Sequence, residues 1–304
     1  MDSITEHLRT YLSRDHEQAR TMPPEFYTSE SHFELERERL FRSEWLCLGR
    51  VHQIPKVGDY FATTMLDEPL IVVRTRPDEI SVLSNVCRHR GTVIAQGSGN
   101  TNIFICPYHA WSYDLSGHLQ RAPLIEKRDD FDRNDCRLPC FPTEIWGGFI
   151  YVNLDGKAPP LTPQLEGLKR ITQNYHMDDM VERHVEESVW DNNWKCLTEN
   201  FMEGYHLSTV HQNTLHKRTP TRLCENVTPG EWYAGYKSHH DPKAPRRKPF
   251  HPDLSPEEQR YSMYFWIFPS HAVGLTPSGL TSLCLKPHGV GEVANRCLLA
   301  SLKP

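Results

Sequence analysis

Apolar positions along this chain fall into two regimes: helical spacing at the beginning, and short strand-sized runs broken by Gly, Pro and Asn over most of the rest. Residues 1–43 read as helical, with Phe33, Leu35, Leu40 and Phe41 supplying an apolar side. From Trp45 to Leu154 the runs are β-like, for example Leu70-Ile-Val-Val-Arg74, Ile103-Phe-Ile105 and Gly148-Phe-Ile-Tyr-Val-Asn153. Lys157-Ala-Pro-Pro-Leu-Thr-Pro163 reads as a stiff linker and as the domain boundary. Beyond it the pattern predicts a helical segment near 163–175, a strand near 181–190 and a helix from about 192. Residues 240–258 are rich in Pro, Lys and Arg and read as a long loop, in which Arg246-Arg-Lys248 forms a solvated face. From Tyr261 to Leu299 the chain alternates like antiparallel strands, and no internal repeat is visible. The expected organisation is α+β: a helical segment over 1–43, an all-β unit over 44–156 and a mixed unit over 164–304.

Composition narrows the function classes. The chain has 304 residues, enough for a substantial core, and a formal net charge of −5 without a long run of one sign. Nothing in that balance favours nucleic acid. The densest apolar run, Met263–Phe268, is strand-sized, so no membrane span is expected. The first twenty residues are charged throughout and lack an apolar core, so no secretory signal is expected either, and the reading is a cytoplasmic protein. Nine cysteines, odd in number and irregularly spaced, then suggest reduced thiols and metal ligands rather than a disulfide scaffold. Asn226-Val-Thr228 matches a glycosylation acceptor and is read as incidental.

Two stretches carry the chemistry. In the first, Cys87/His89 and Cys106/His109 are separated by a Gly/Ser/Asn insert containing Gly91, Gly97 and Gly99. Thiolate and neutral imidazole suit iron and zinc alike. Glycines let two ligand loops turn tightly and approach each other. A zinc ion held by two Cys and two His is one reading, and two unrelated buried cysteines beside surface histidines is the plainest. In the second stretch, helical spacing puts Trp194, Leu197, Phe201 and Tyr205 on one stripe, with Glu199, Glu203 and His206 roughly opposite. His211 follows five residues after His206, a rotation of about 140° on a straight helix. Both can hold one metal only if the helix bends or ends between them, which the β-branched residues of Leu207-Ser-Thr-Val210 permit.

Cys87-Arg-His89-Arg90-Gly91 and Cys106-Pro-Tyr-His109-Ala-Trp111 resemble the two halves of a Rieske [2Fe–2S] motif. The resemblance implies that Cys87 and Cys106 hold one iron and His89 and His109 the other, with Trp111 and amides near Arg90 donating outer hydrogen bonds. Arg88 and Tyr108 stand where the cytochrome-complex type has disulfide cysteines, as in the oxygenase type. Likewise Asn193-Trp-Lys195, Glu199-Asn200 and Glu203-Gly-Tyr-His206…His211 resemble the iron-binding segment of the Rieske non-haem iron oxygenases, in their large or α subunit. This resemblance covers nearly the whole chain. It implies a Rieske domain followed by a partial helix-grip catalytic domain, and a mononuclear Fe(II) held by His206 and His211. Glu203 would bridge His109 of one chain to His206 of the next, so a trimer-based oligomer is implied.

The family's third iron ligand is an Asp on a helix far downstream, and the sequence stops at Pro304 before such a helix. Glu292 is expected at a strand start and Asp253 in a loop, so the third ligand is left unassigned. The expectation is a C-terminally truncated oxygenase, with a weakly iron-binding, impaired homologue as the alternative. A pure electron carrier is the rival from another class, but it leaves the residues after the linker without a role. No Gly-x-Gly-x-x-Gly is present, which fits a separate NAD(P)H-dependent reductase or ferredoxin delivering electrons for O₂ activation. Glu at the bridging position is similar to members acting on quaternary ammonium or N-methyl compounds; small aromatic substrates are the other class. Tyr205, Trp232, Tyr233, Tyr236, Tyr264 and Trp266 offer either an aromatic cage for a cation or plain core.

Overall fold

The computed structural model describes residues 3–12, 18, 20–125, 130–245 and 249–302. The Arg246-Arg-Lys248 cluster lies outside the described residues. Helices Ser3–Leu12, Glu25–Thr28 and Glu30–Glu36, the last running into a π-helical turn Arg37–Phe41, precede the strands. Phe33 and Phe41 are buried, whereas Leu35 and Leu40 are only half-buried.

Four antiparallel sheets follow among the described residues. A five-stranded sheet runs in the order Ser98–Asn100, Asp59–Met65, Glu68–Arg76, Glu79–Ser84, Cys140–Phe141. Beside it lies a small sheet of Phe104–Ile105, Ser112–Tyr113 and Leu119–Arg121. A three-stranded sheet pairs Trp45–Arg50 with Phe149–Asn153 and Thr143–Trp146. The fourth has seven strands, ordered Val181–Trp190, Glu292–Ser301, Gly279–Gly289, His271–Thr276, Tyr261–Ile267, Tyr233–His239, Cys224–Val227.

Period-two alternation explains how these sheets stack. Leu70 and Val72 enter one core, while Ile71 and Val73 enter the core that backs the 85–113 loops. The three-stranded sheet is also buried on both faces. Leu46, Leu48, Ile150 and Val152 point into the first core, where they meet Trp194, Trp266, Leu283 and Leu285. Trp45, Cys47, Phe149 and Tyr151 point the other way, against Leu161, Leu165, Phe265 and Cys284. Strands buried on both faces read as unbroken apolar runs, which is what residues 148–153 display.

Polar groups at this junction are buried and partly paired, Nε and Nη1 of Arg50 having no acceptor among the described residues. The Arg50 guanidinium lies over the Phe149 ring at 4.7 Å and donates from Nη2 to the carbonyls of Met177 (2.6 Å) and Met180 (3.1 Å). Cys47 and Cys284 face each other with their sulphurs 3.2 Å apart, both thiols free. His271 bonds the Tyr151 hydroxyl through Nδ1 (2.5 Å) and Ser282 through Nε2 (2.8 Å). Burial, and then the Arg50 charge, pushes this imidazole down to about 3, so it is neutral.

Residues 161–175 form helices Leu161–Gln164 and Glu166–Thr172 and a 3₁₀ turn Gln173–Tyr175. Glu144 receives the Leu161 and Thr162 amides at 2.9 and 3.0 Å and so fixes where this segment begins. The strand expected near 181–190 is Val181–Trp190. Two strands were not legible, Cys224–Val227 and Tyr233–His239, because glycines and isolated aromatics hide their alternation.

One titratable group there makes a testable statement. Burial, and then neighbouring Asp155, raises the Glu44 carboxyl from 4.5 to about 7. Between those values the folded state binds more protons than the unfolded state, so this group's contribution to stability falls as pH rises through the window. Glu44→Gln should therefore melt a few degrees above the parent protein at pH 8, the gain being limited because the group is half-exposed. The two melting temperatures should converge as pH falls below 4.5. A difference that does not change with pH would assign the effect to packing instead.

Candidate metal centres

The two Cys/His loops are built alike. In the first, the Cys87 N–H donates to Thr92 O (2.9 Å) and the Gly91 N–H to Cys87 O (3.0 Å). In the second, the Cys106 N–H donates to Trp111 O (2.8 Å) and the Ala110 N–H to Cys106 O (3.1 Å). The fourth residue after each cysteine is left-handed, Gly91 at φ 71° and Ala110 at φ 59°. Only the first of these turns is announced by a glycine; Ala110 carries a Cβ in a conformation costing roughly 1 kcal/mol.

These turns place the sulphurs inward and the imidazoles outward. Cys87 and Cys106 are buried, His89 is half-buried and His109 exposed. The two imidazole rings lie 4.6 Å apart between centroids, and Trp111 stacks on His89 at 4.8 Å and 7°. Burial raises the Cys106 thiol, and Cys87 is its hydrogen-bond partner, so the two sulphurs adjoin. Two groups that the sequence did not single out complete the pocket. The buried Tyr113 hydroxyl contacts Cys87 Sγ at 3.3 Å and accepts from the Arg88 N–H at 3.1 Å. Burial keeps its phenol protonated. Asn85 closes the first loop from below, its Oδ1 accepting from Ile94 and Ala95 while its amide donates to Ala95 O. Nε1 of Trp111 is buried without an acceptor among the described residues. Two adjoining thiols, two adjoining imidazoles and an indole N–H awaiting an acceptor suit a sulphide-bridged two-iron cluster.

The second stretch begins with helix Trp194–Phe201, capped by Asn193, whose side chain accepts from the Lys195 N–H and donates to the carbonyls of Tyr27 and Val290. The helix ends at Phe201, earlier than the sequence suggests. Tyr205 therefore leaves the apolar stripe and is exposed, as part of a 3₁₀ turn Tyr205–Ser208. Gly204 sits where a Cβ would come within 2.5 Å of Cys224 Sγ, so a larger residue here would have to push that thiol aside. Because the helix has ended, His206 and His211 turn toward each other, with ring centroids 5.3 Å apart. Glu203 bonds Nδ1 of His206 and receives the amides of Tyr205 and His206. Burial raises that carboxyl, but these hydrogen bonds outweigh it and hold Glu203 below the usual carboxylate value. With Nδ1 engaged, His206 offers Nε2 to a metal. Glu199 accepts from the Tyr27 hydroxyl at 2.7 Å.

Glu292 starts the last strand and lies 3.5 Å from His288 Nδ1; Asp253 lies in a loop, 2.7 Å from His176 Nε2. Both positions are as expected, and both acids are engaged away from His206 and His211. Of the six candidate cage aromatics, Tyr236 and Trp266 are core, and Tyr236 stacks on Tyr264 at 5.0 Å and 16°.

Comparison with known families settles what frame holds these sites. Residues 44–142 match the Rieske [2Fe-2S] domain and residues 177–302 the ring hydroxylating alpha subunit catalytic domain. The chain belongs to the Rieske non-haem iron oxygenases. Membership implies both a [2Fe–2S] cluster and a mononuclear iron, which the donor sets above suit. Among relatives, the carnitine monooxygenase oxygenase subunit of Escherichia coli strain K12 is 28% identical over 266 residues, 86% of this chain and 69% of that protein. Benzene 1,2-dioxygenase subunit alpha of Pseudomonas putida is 36% identical over 206 residues, 64% of this chain and 45% of that protein. Against the solved naphthalene 1,2-dioxygenase from Rhodococcus sp., this Rieske oxygenase chain superposes with a TM-score of 0.86 at 23% identity, covering 100% of this chain and 78% of that one; the fold is the same. No helix among the described residues is long and apolar enough to cross a membrane.

Proposed function

We propose that this chain is the terminal oxygenase component of a multicomponent cytoplasmic system, hydroxylating or demethylating a small organic substrate with O₂. The observation that carries the proposal is Glu203 holding Nδ1 of His206 beside His211, in the same chain as the paired Cys/His loops. Cys87, Cys106, His89 and His109 hold the [2Fe–2S] cluster, and His206 and His211 hold the iron; when bound, the first supplies one-electron transfer and the second O₂ activation. Tyr113 and Trp111 donate toward the cluster, and Glu203 fixes the tautomer and tilt of His206.

Exposure supports a role for Glu203 between subunits. Its side chain keeps 41% of its surface exposed, and His109 is exposed as well. A carboxylate has acceptor sites left after binding one imidazole, so Glu203 also accepts from His109 of a neighbouring chain in a trimer-based oligomer. A separate NAD(P)H-dependent reductase, with or without a ferredoxin, supplies electrons. The substrate is a quaternary ammonium or N-methyl compound, or a small aromatic one, the two classes that carnitine and benzene represent among the relatives.

Absorption spectroscopy on purified protein tests the cluster. The protein should be red-brown, and Cys106→Ser or His89→Ala should abolish the visible bands while the far-ultraviolet dichroism stays. A colourless, folded, zinc-loaded parent protein would overturn the assignment.

A further inference from the structure

A second group of donors lies outside the machinery described above. His176, Asp179 and His251 each bring one ligand atom within 4.8 Å of the others. They come from distant stretches: His176 caps the 3₁₀ turn Met177–Asp179, Asp179 ends it, and His251 belongs to the loop before Glu258–Arg260. The imidazoles of His176 and His251 stack with centroids 3.9 Å apart at 22°. His176 is left-handed, at φ 46° and ψ 55°, which turns its ring onto that loop.

The arrangement around His176 is that of a metal ligand with its outer partner in place. Its Nε2 lies 2.7 Å from Asp253 Oδ2, so that nitrogen donates, and in the neutral ring Nδ1 keeps its lone pair. That Nδ1 faces Asp179 Oδ2 at 3.9 Å. His251 Nδ1 takes a long 3.3 Å contact from the Asp253 N–H and lies 3.8 Å from Asp253 Oδ2. Two imidazoles and a carboxylate suit a borderline divalent ion, and tetrahedral zinc leaves its fourth position for water. Bonds of about 2.0–2.2 Å set donor separations of about 3.5 Å, so shifts of an ångström or less close the site. Charge balances too, since Asp179 and Asp253 together match a dication.

We propose that His176, Asp179 and His251 form a zinc site, oriented by Asp253, which clips the 249–257 segment to the segment after Glu166–Thr172. Zinc and loop order are then linked, because binding free energy adds to the folding of whatever the metal ties together.

The test uses full-length, cluster-loaded protein in a His206→Ala/His211→Ala background, so that zinc cannot report from that pair. Zinc chloride is added, excess is removed, and retained zinc per chain is measured by mass spectrometry and by competition with a chromophoric chelator. The expected result is a retained zinc ion that is lost in His176→Asn, where Asn tolerates the left-handed backbone, and lost equally in His251→Gln. Asp253→Asn should keep the ion but weaken it about 10–100-fold. Cluster absorbance and circular dichroism verify folding, and the loop residue His251 serves if His176→Asn unfolds. Zinc content unchanged by His251→Gln, or no zinc retained in the parent background, overturns the proposal.

Discussion

Glu203→Gln should leave the visible spectrum of the cluster unchanged, retain most of the mononuclear iron and lower turnover about 10–100-fold. The amide keeps one oxygen for the His206 N–H but loses the charge, and its NH₂ cannot accept from a second imidazole. The Tyr205 and His206 amides, which now close on the carboxylate, lose their charge-assisted partner as well. Steady-state turnover with excess reductase, set beside iron content, separates loss of electron delivery from loss of metal. Unchanged turnover would remove Glu203 from the path between the centres. Loss of iron in proportion to activity would make it a structural support for His206 only.

The second large effect concerns the Glu36–Lys195 pair at the start of helix Trp194–Phe201. Lys195 Nζ lies 2.8 and 2.9 Å from the two Glu36 oxygens, Trp194 Nε1 donates to Glu36 at 3.0 Å, and His32 Nε2 stands 3.2 Å away. All four side chains are buried. Burial lowers the Lys195 ammonium and Glu36 pulls it back up, so removing the carboxylate strands a charge in the core. Glu36→Ala should cost about 3–5 kcal/mol in urea unfolding. Glu36→Leu/Lys195→Met should recover most of that, because removing both charges together abolishes the desolvation penalty along with the attraction. A cost under about 1 kcal/mol for the single change, or a double variant as unstable as the single, would show that the pair is not what fastens the N-terminal helices to helix Trp194–Phe201.

The paired Cys/His loops were legible because their pattern is local: Cys and His two or three residues apart, with a glycine where the first loop turns. Asn85 and Tyr113 were not, since a buried amide and a buried phenol look like ordinary core until their partners are seen. The left-handed Ala110 was hidden for the opposite reason, because nothing in an alanine announces a positive φ. For His206 and His211 the sequence framed the right condition, an interrupted helix, but placed the break between them. The helix in fact stops at Phe201, where helix Trp194–Phe201 gives way to Met202, Glu203 and Gly204, and Gly204 packs closely on Cys224. Long-range strand pairing was the least legible part of the fold. Tyr233–His239 is a strand because Tyr261–Ile267 pairs with it, not because its own residues insist on it.

The three-stranded sheet of Trp45–Arg50, Phe149–Asn153 and Thr143–Trp146 has a consequence for heredity. Its strands are contributed by the part of the chain that bears the cluster, yet both of its faces close against residues of the catalytic part. A chimera that exchanges residues 44–142 for those of a relative would carry in a foreign Leu46, Leu48 and Cys47 while leaving their partners Leu283, Leu285 and Cys284 behind. The two functional regions cannot be traded like beads on a string. A useful exchange must carry both sides of this packing seam together rather than cut at the proline-rich stretch that follows it.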